Sequence, residues 1–312
     1  MSGVVCLGFD TSNYTTSTAL YDAARGEVRQ QKRLLPVKSG ERGLRQSDAL
    51  FHHVCQLPEL LEALAPRGVT CVAASDRPRE AEGSYMPCFL SGAGAARQMA
   101  TALDVPVRFF THQQGHVAAA LLGAQRMDLL ERPFLAFHVS GGTTDALLVA
   151  PHAERIITCR EVGGSLDLKA GQLIDRVGVR MGLDFPAGPA LERLAMRAAQ
   201  IYAPRPSMEA AGAACHLSGV ENQCAQRLER GEPPEEVARF CLDSVRVALV
   251  AMTERLLQEF GDLPLVFAGG VMSNTILREA LTDRFGACFA PPAFSADNAA
   301  GIALLGALRE AM

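Results

Sequence analysis

The feature that most constrains the fold is a strand grammar that occurs twice in the chain, far apart. Val4-Val5-Cys6-Leu7-Gly8-Phe9 is an apolar run that breaks into Asp10-Thr11-Ser12-Asn13, and a second run follows from Thr16 to Tyr21. Much further on, Phe134-Leu135-Ala136-Phe137-His138-Val139 breaks into Ser140-Gly141-Gly142-Thr143-Thr144 and resumes as Asp145-Ala146-Leu147-Leu148-Val149. Each reads as strand, tight polar turn, strand. After each comes a further strand (Glu27 to Leu35, Arg155 to Thr158), then helices, then a buried strand such as Cys71 to Ala74 or Pro264 to Ala268. The same order in both halves implies an internal duplication and two similar α/β lobes.

Composition agrees with a globular protein of about two domains: 312 residues, 48% hydrophobic and 21% charged. A net charge of −4 gives no overall basic field of the kind that holds nucleic acid by phosphate neutralisation alone. An RNA partner therefore calls for a local patch or a second subunit. The nine cysteines form no C-x-x-C pair and sit singly in apolar settings such as Val5-Cys6-Leu7 and Ala287-Cys288-Phe289. They read as small buried hydrophobes in a reducing compartment. With no apolar run long enough to cross a membrane and no leader pattern, the expected location is cytoplasmic. Pro- and Gly-punctuated sequence from Gly182 to Gly219 carries one helix and reads as an insertion, whereas Pro233 to Phe260 has sustained helical periodicity. His52, His53 and His152 read as solvated or partly buried structural residues.

Three stretches carry chemistry. In His112-Gln113-Gln114-Gly115-His116, two imidazoles at i and i+4 of a helix can hold one metal ion, though spacing alone leaves a solvated or capping role open. The metalloprotease pattern H-E-x-x-H needs a glutamate where Gln113 stands, so peptide hydrolysis is not expected. The turn Ser140 to Thr144 gathers backbone N–H groups and hydroxyls suited to phosphate oxygens, or is an ordinary hairpin turn. In Phe267-Ala268-Gly269-Gly270-Val271-Met272-Ser273-Asn274 a buried strand ends in two glycines before a helix, which lets a ligand approach the backbone closely. The order of these elements resembles the superfamily of actin, hexokinase and the large heat-shock chaperones.

More specifically, the ordered motifs G-F-D-T-S, H-Q-Q-G-H, V-S-G-G-T-T, L-I-D-R-V-G-V-R-M-G-L-D-F-P-A-G-P, A-G-G-V-M-S-N and S-A-D-N-A-A-G-I-A resemble the TsaD family, once called O-sialoglycoprotein endopeptidase. The resemblance implies two duplicated RNase H-like α/β lobes around a central nucleotide-binding cleft. Residues 1–112 would form the N-terminal lobe and 113–312 the C-terminal lobe. The second would carry a helical insertion at about 182–232, and its last helix would pack back on the first lobe. It further implies transfer of a threonylcarbamoyl group from threonylcarbamoyl-adenylate to the N6 amine of the adenosine next to a tRNA anticodon. By position, His112, His116 and Asp297 would bind one divalent metal ion, iron or zinc. His138, Val139, Ser140, Gly141 and Gly142 would line the nucleotide and acyl site, Asp175 would face a ribose, Gly188 would offer backbone, and Asn274 would contact the adenosine of an ATP- or AMP-type ligand. Asp10, Thr11, Ser12, Thr143, Gly269, Gly270, Arg77 and Arg79 are further candidates. Read from the residues alone, Asp175 is equally a solvated helix-face residue and Asp297 a helix N-cap. The family's partners would be tRNA, an adenylate-type substrate and TsaB-like or TsaE-like proteins.

The chain departs from the family pattern in three places. Thr143 stands where S-G-G-H-T has histidine, Asn13-Tyr14-Thr15-Thr16 replaces an acidic pair, and Ser75 to Pro87 replaces a glycine-rich loop with a segment carrying Arg77, Arg79 and Tyr85. These point to a divergent paralogue and leave two other readings open: transfer of a carbamoyl-type group to a different acceptor, or a non-catalytic nucleotide-binding partner subunit. The His112, His116, Asp297 set argues against the last.

Overall fold

The computed structural model describes residues 3–12, 14–36, 44–295 and 299–312. The first stretch of chain forms β1 (Val5–Ser12), β2 (Thr15–Asp22), β3 (Glu27–Leu34), α1 (Gln46–Leu64), β4 (Cys71–Arg77), α2 (Phe89–Leu103), β5 (Val107–Thr111) and α3 (His112–Ala124). There follow β6 (Phe134–Val139), β7 (Thr144–His152), β8 (Ile156–Ser165), α4 (Ala170–Arg180), α5 (Gly188–Ala195), β9 (Ser207–Met208), β10 (Ala213–His216), α6 (Ser218–Glu229), α7 (Pro234–Phe260), β11 (Leu265–Ala268), α8 (Thr275–Phe285) and β12 (Cys288–Phe289). The chain closes with α9 (Pro292–Ser295) and α10 (Ala299–Glu310). Contacts divide it into one unit of 1–132, 150–159 and 293–312, and another of 133–149 and 160–292. Helix α3 thus belongs with the first unit, and the chain passes to the second at 132/133.

The duplication is explicit in the strand order. One sheet runs β3-β2-β1-β4-β5, with β1 antiparallel to β2 and parallel to β4. The other runs β12-β11-β6-β7-β8-β10-β9, with β6 antiparallel to β7 and parallel to β11. Read outward from the first strand of each hairpin, β3-β2-β1-β4-β5 and β8-β7-β6-β11-β12 are the same arrangement. The second sheet is longer because β10 pairs in parallel with the end of β8, and β9 pairs with β10. These two strands lie where the sequence suggested an insertion with a single helix. They span only two and four residues, too short to show an alternating pattern.

The first unit is held by small residues on its last helix. An added Cβ at Gly301 of α10 would overlap the carbonyl of Gly115 on α3, and one at Gly8 of β1 would come within 2.6 Å of the Ala299 carbonyl. Both surfaces must therefore present bare backbone for α10 to lie against α3 and β1. Buried Leu7, Phe9, Val72 and Ala74 of the sheet pack with Leu57 and Leu64 of α1. In the second unit α7 is the central helix: Val237, Phe240, Cys241, Val245, Leu249, Met252 and Leu256 are all buried. Seven of the nine cysteines are buried, Cys55 being exposed and Cys288 intermediate. Among the described residues no helix is long and apolar enough to cross a membrane.

His53 departs from the expectation of a solvated or partly buried residue, because it is fully buried. The Thr16 hydroxyl donates to Gln56 Oε1 at 2.8 Å and meets His53 Nδ1 at 2.8 Å. With its own hydrogen given to Gln56, the hydroxyl accepts from Nδ1–H, so Nε2 is left as a buried acceptor with no hydrogen-bond partner.

Candidate functional site

In the first unit the polar groups converge where β1 and β4 end and α3 begins. The backbone there is fixed by a reciprocal cap: the Thr111 hydroxyl accepts from Gln114 N at 3.1 Å, and Gln114 Oε1 accepts from Thr111 N at 2.7 Å. This makes His112 the first residue of α3 and places His116 one turn later, with ring centroids 4.6 Å apart. Asp10, only 1% exposed at the end of β1, accepts from His112 Nδ1 at 3.0 and 3.1 Å and from the Ser75 hydroxyl. The Phe89 ring stands edge-on to His112 at 5.8 Å. Burial, with the nearby Asp10 charge, pushes the Cys88 thiol up to about 11, so it stays protonated at neutral pH.

Two imidazoles on one helical turn, one braced by a carboxylate, are the donor set of half a cation site. The third expected ligand, Asp297, and the altered turn residue Asn13 lie outside the described residues. Among those described, no group of three or more His, Cys, Asp or Glu side chains could hold a metal ion.

The neighbouring candidates are engaged structurally. Thr11 Oγ1 donates to the Cys88 carbonyl at 2.9 Å and accepts from Gly92 N at 3.0 Å, tying β1 to α2. Arg77 Nη1 meets both oxygens of Asp76 at 3.0 Å, and the backbone N–H of Arg79 is held by the Ser84 hydroxyl at 3.1 Å. The segment after β4 is organised by Glu80. Its carboxylate accepts from Gln114 Nε2 (3.1 Å), Arg155 Nη1 (2.8 Å) and Cys159 N (3.3 Å).

The second unit holds a cavity of about 300 Å³ lined by Gly141, Asp175, Gly188, Gly270 and Asn274 together with Ile174, Pro186 and Glu192. Five residues expected from three separate motifs thus share one cavity. Ser140 N donates to the Thr143 carbonyl at 2.8 Å, closing the β6–β7 turn, and Gly171 N donates to the Ser140 carbonyl at 3.2 Å. Helix α4 therefore starts directly against the turn, where a Cβ on Gly171 would fall 2.7 Å from Gly141. Around Gly141, Gly142 and Gly270, by contrast, no atom lies within 4 Å of where a Cβ would stand, so a ligand can reach their backbone. Gly269, at φ +105°, sits against the Val139 carbonyl and locks the end of β11 to the end of β6.

The carboxylates and amide of this cavity are anchored from behind. Asp175 accepts from Ala187 N at 2.8 Å and so holds the segment that opens α5. Asn274, 7% exposed, caps α8 by accepting from Leu277 N at 3.1 Å. Glu192, which the sequence reading did not single out, accepts from Thr275 N at 2.7 Å and Thr275 Oγ1 at 2.6 Å. Its place one helical turn after Gly188 was the available signal. His138 and Val139 lie on β6 behind the turn, and Val139 is fully buried.

The mirrored strand order defines the class by its fold: two α/β lobes of the same RNase H-like strand order. Solved structures bear this out at the level of fold. Component A of the (R)-2-hydroxyglutaryl-CoA dehydratase of Acidaminococcus fermentans is 14% identical with a TM-score of 0.57, covering 99% of this chain and 100% of that one. Full-length HypF in its phosphate- and nucleotide-bound form is 12% identical with a TM-score of 0.58, covering 98% of this chain and 55% of that one.

Within that class, residues 52–304 match the TsaD family, described as tRNA N6-adenosine threonylcarbamoyltransferase, and the chain belongs to this family of tRNA-modifying transferases. A tRNA N6-adenosine threonylcarbamoyltransferase of Methanopyrus kandleri is 28% identical over 277 residues, spanning 85% of this chain and 76% of that protein.

Proposed function

We propose that this chain transfers a threonylcarbamoyl group from threonylcarbamoyl-adenylate to the N6 amine of the adenosine next to a tRNA anticodon. The observation that carries the reading is the single cavity shared by Gly141, Asp175, Gly188, Gly270 and Asn274. Its volume of about 300 Å³ and its lining of open glycine backbone with a few polar side chains suit part of an adenine nucleotide. The open backbone at Gly141 and Gly142 receives the phosphate and carbonyl oxygens, where N–H groups offset charge that builds as the amine attacks. Asp175, immobilised by Ala187 N–H, accepts from a ribose hydroxyl, and Asn274 and Gly270 meet the base. In the reaction the N6–carbamoyl bond forms, the mixed-anhydride C–O bond breaks, AMP leaves and the amine releases one proton to solvent. The adenosine amine is a weak nucleophile, so positioning does most of the work.

His112, His116 and Asp297 are the residues that would hold one divalent cation, iron or zinc. Such an ion supplies Lewis-acid polarisation of substrate oxygens when bound. The chain's own contribution on that side is the fixed pair of imidazoles at the start of α3. TsaB-like and TsaE-like proteins are the partners this reading implies.

A second reading, transfer of a carbamoyl-type group to a different acceptor, is favoured by Thr143 in place of histidine and by Arg77 at the end of β4 and Arg79 just beyond it. The two are separated by complementation of cells depleted of their own TsaD, with nucleoside mass spectrometry of their tRNA and His112→Ala as control. Growth with restored threonylcarbamoyladenosine supports the first reading. Growth without it removes the first and leaves the second.

A further inference from the structure

The sequence offers Asp10 as a further candidate for the site, and its surroundings bear on what it could do there. Its carboxylate is 1% exposed, and its oxygens are engaged by His112 Nδ1 and the Ser75 hydroxyl, 102 and 65 residues away along the chain. A carboxylate on Nδ1 holds the ring proton there, which makes Nε2 the lone-pair nitrogen and sets the direction in which it points. The Ser75 hydroxyl in turn holds the carboxylate, the Thr111–Gln114 cap fixes the backbone at His112, and the Phe89 edge limits rotation of the ring.

We propose that Asp10, steadied by Ser75, is a positioning residue that fixes the tautomer and ring direction of His112 for cation binding. The inference rests on the reading of His112 and His116 as cation ligands. An amide at position 10 keeps the shape but can turn its NH₂ toward Nδ1, which moves the ring proton to Nε2 and blocks the lone pair from a cation. Ser75→Ala removes the hydroxyl that holds the carboxylate and leaves the tautomer intact.

Two measurements on the full-length protein test this. In competition with a chromophoric chelator, Asp10→Asn is expected to bind Zn²⁺ roughly 10- to 100-fold more weakly than the parent chain. Ser75→Ala should show a smaller loss and His112→Ala the largest, with melting temperatures measured alongside. Nitrogen-15 NMR of the metal-free parent protein at mildly alkaline pH is expected to show His112 with its proton on Nδ1. Unchanged Zn²⁺ affinity in a folded Asp10→Asn protein overturns the inference and leaves the cation reading standing. A proton on Nε2 in the parent chain overturns it even if Asp10→Asn does not fold. Failure of the parent chain to bind Zn²⁺, with no effect of His112→Ala, overturns both readings.

Discussion

Asp175 and Ala187 are joined by a 2.8 Å hydrogen bond from the Ala187 N–H to the Asp175 carboxylate, so the acid that lines the cavity also holds the turn leading into α5. Both functions depend on one side chain, and they separate under substitution. Asp175→Asn keeps an acceptor for Ala187 but loses the charge that favours a ribose hydroxyl donor. It is expected to weaken AMP binding by roughly 10-fold, as for loss of a charge-assisted bond. Asp175→Ala should weaken it further and also lower the melting temperature. Calorimetric titration with AMP decides it, and unchanged affinity in both variants removes Asp175 from the site.

Gly269→Ala addresses the joint between β6 and β11. The residue has φ +105°, and a Cβ would overlap the Val139 carbonyl. Strain and overlap together are expected to cost at least about 3 kcal/mol. Denaturant titration should show this as an earlier midpoint or, at the extreme, as insoluble protein. Gly142→Ala, where space is open, should unfold like the parent chain.

His53 makes the first unit acid-sensitive. Burial lowers its pKa from the ordinary 6.5, against the raising effects of the Ser12 backbone and the Asp10 charge. The folded state therefore binds a proton less readily than the unfolded chain, and stability rises with pH where the two differ. The full contribution is present above 6.5 and falls away as the pH drops below that value toward the depressed one. Melting temperatures measured from pH 8 to 5 should decline, and His53→Gln should flatten the part of the decline that begins near 6.5.

Glu80 gathers three donors from α3, β8 and the turn before β8 while its side chain is only 12% exposed. Glu80→Ala leaves those donors without their acceptor and is expected to cost about 2 kcal/mol. The segment between β4 and α2 should then become more open to limited proteolysis, with cleavage mapped by mass spectrometry between Arg79 and Tyr85. Equal protease resistance in the two proteins would show that the segment is held by other contacts.

The hairpins were legible because turn chemistry and strand alternation are local: Ser140 to Thr144 announce the second turn within a few residues, whereas Asp10 to Ser12, expected as a turn, continue β1 to the end of its pairing with β2. The long helix α7 was legible for the same reason. What the sequence did not show depends on separation along the chain. No periodicity reveals that Asp10 meets His112 or that the buried Thr16 hydroxyl meets His53. Gly301 reads as an ordinary helical glycine until Gly115 is seen beneath it. The cavity residues Gly141, Asp175, Gly188, Gly270 and Asn274 were named through family motifs, whereas Glu192 lies beyond the motif that ends at Pro189. Its role appears only with Thr275 in place.

The central claim is tested most directly by transfer itself. Purified chain is mixed with tRNA and threonine-labelled threonylcarbamoyl-adenylate, in an extract of cells depleted of their own transferase to supply partner proteins. The expected result is label in threonylcarbamoyladenosine recovered from the tRNA, strongly reduced with His112→Ala. The absence of label in tRNA from a parent chain that binds AMP would contradict the assignment of tRNA as the acceptor.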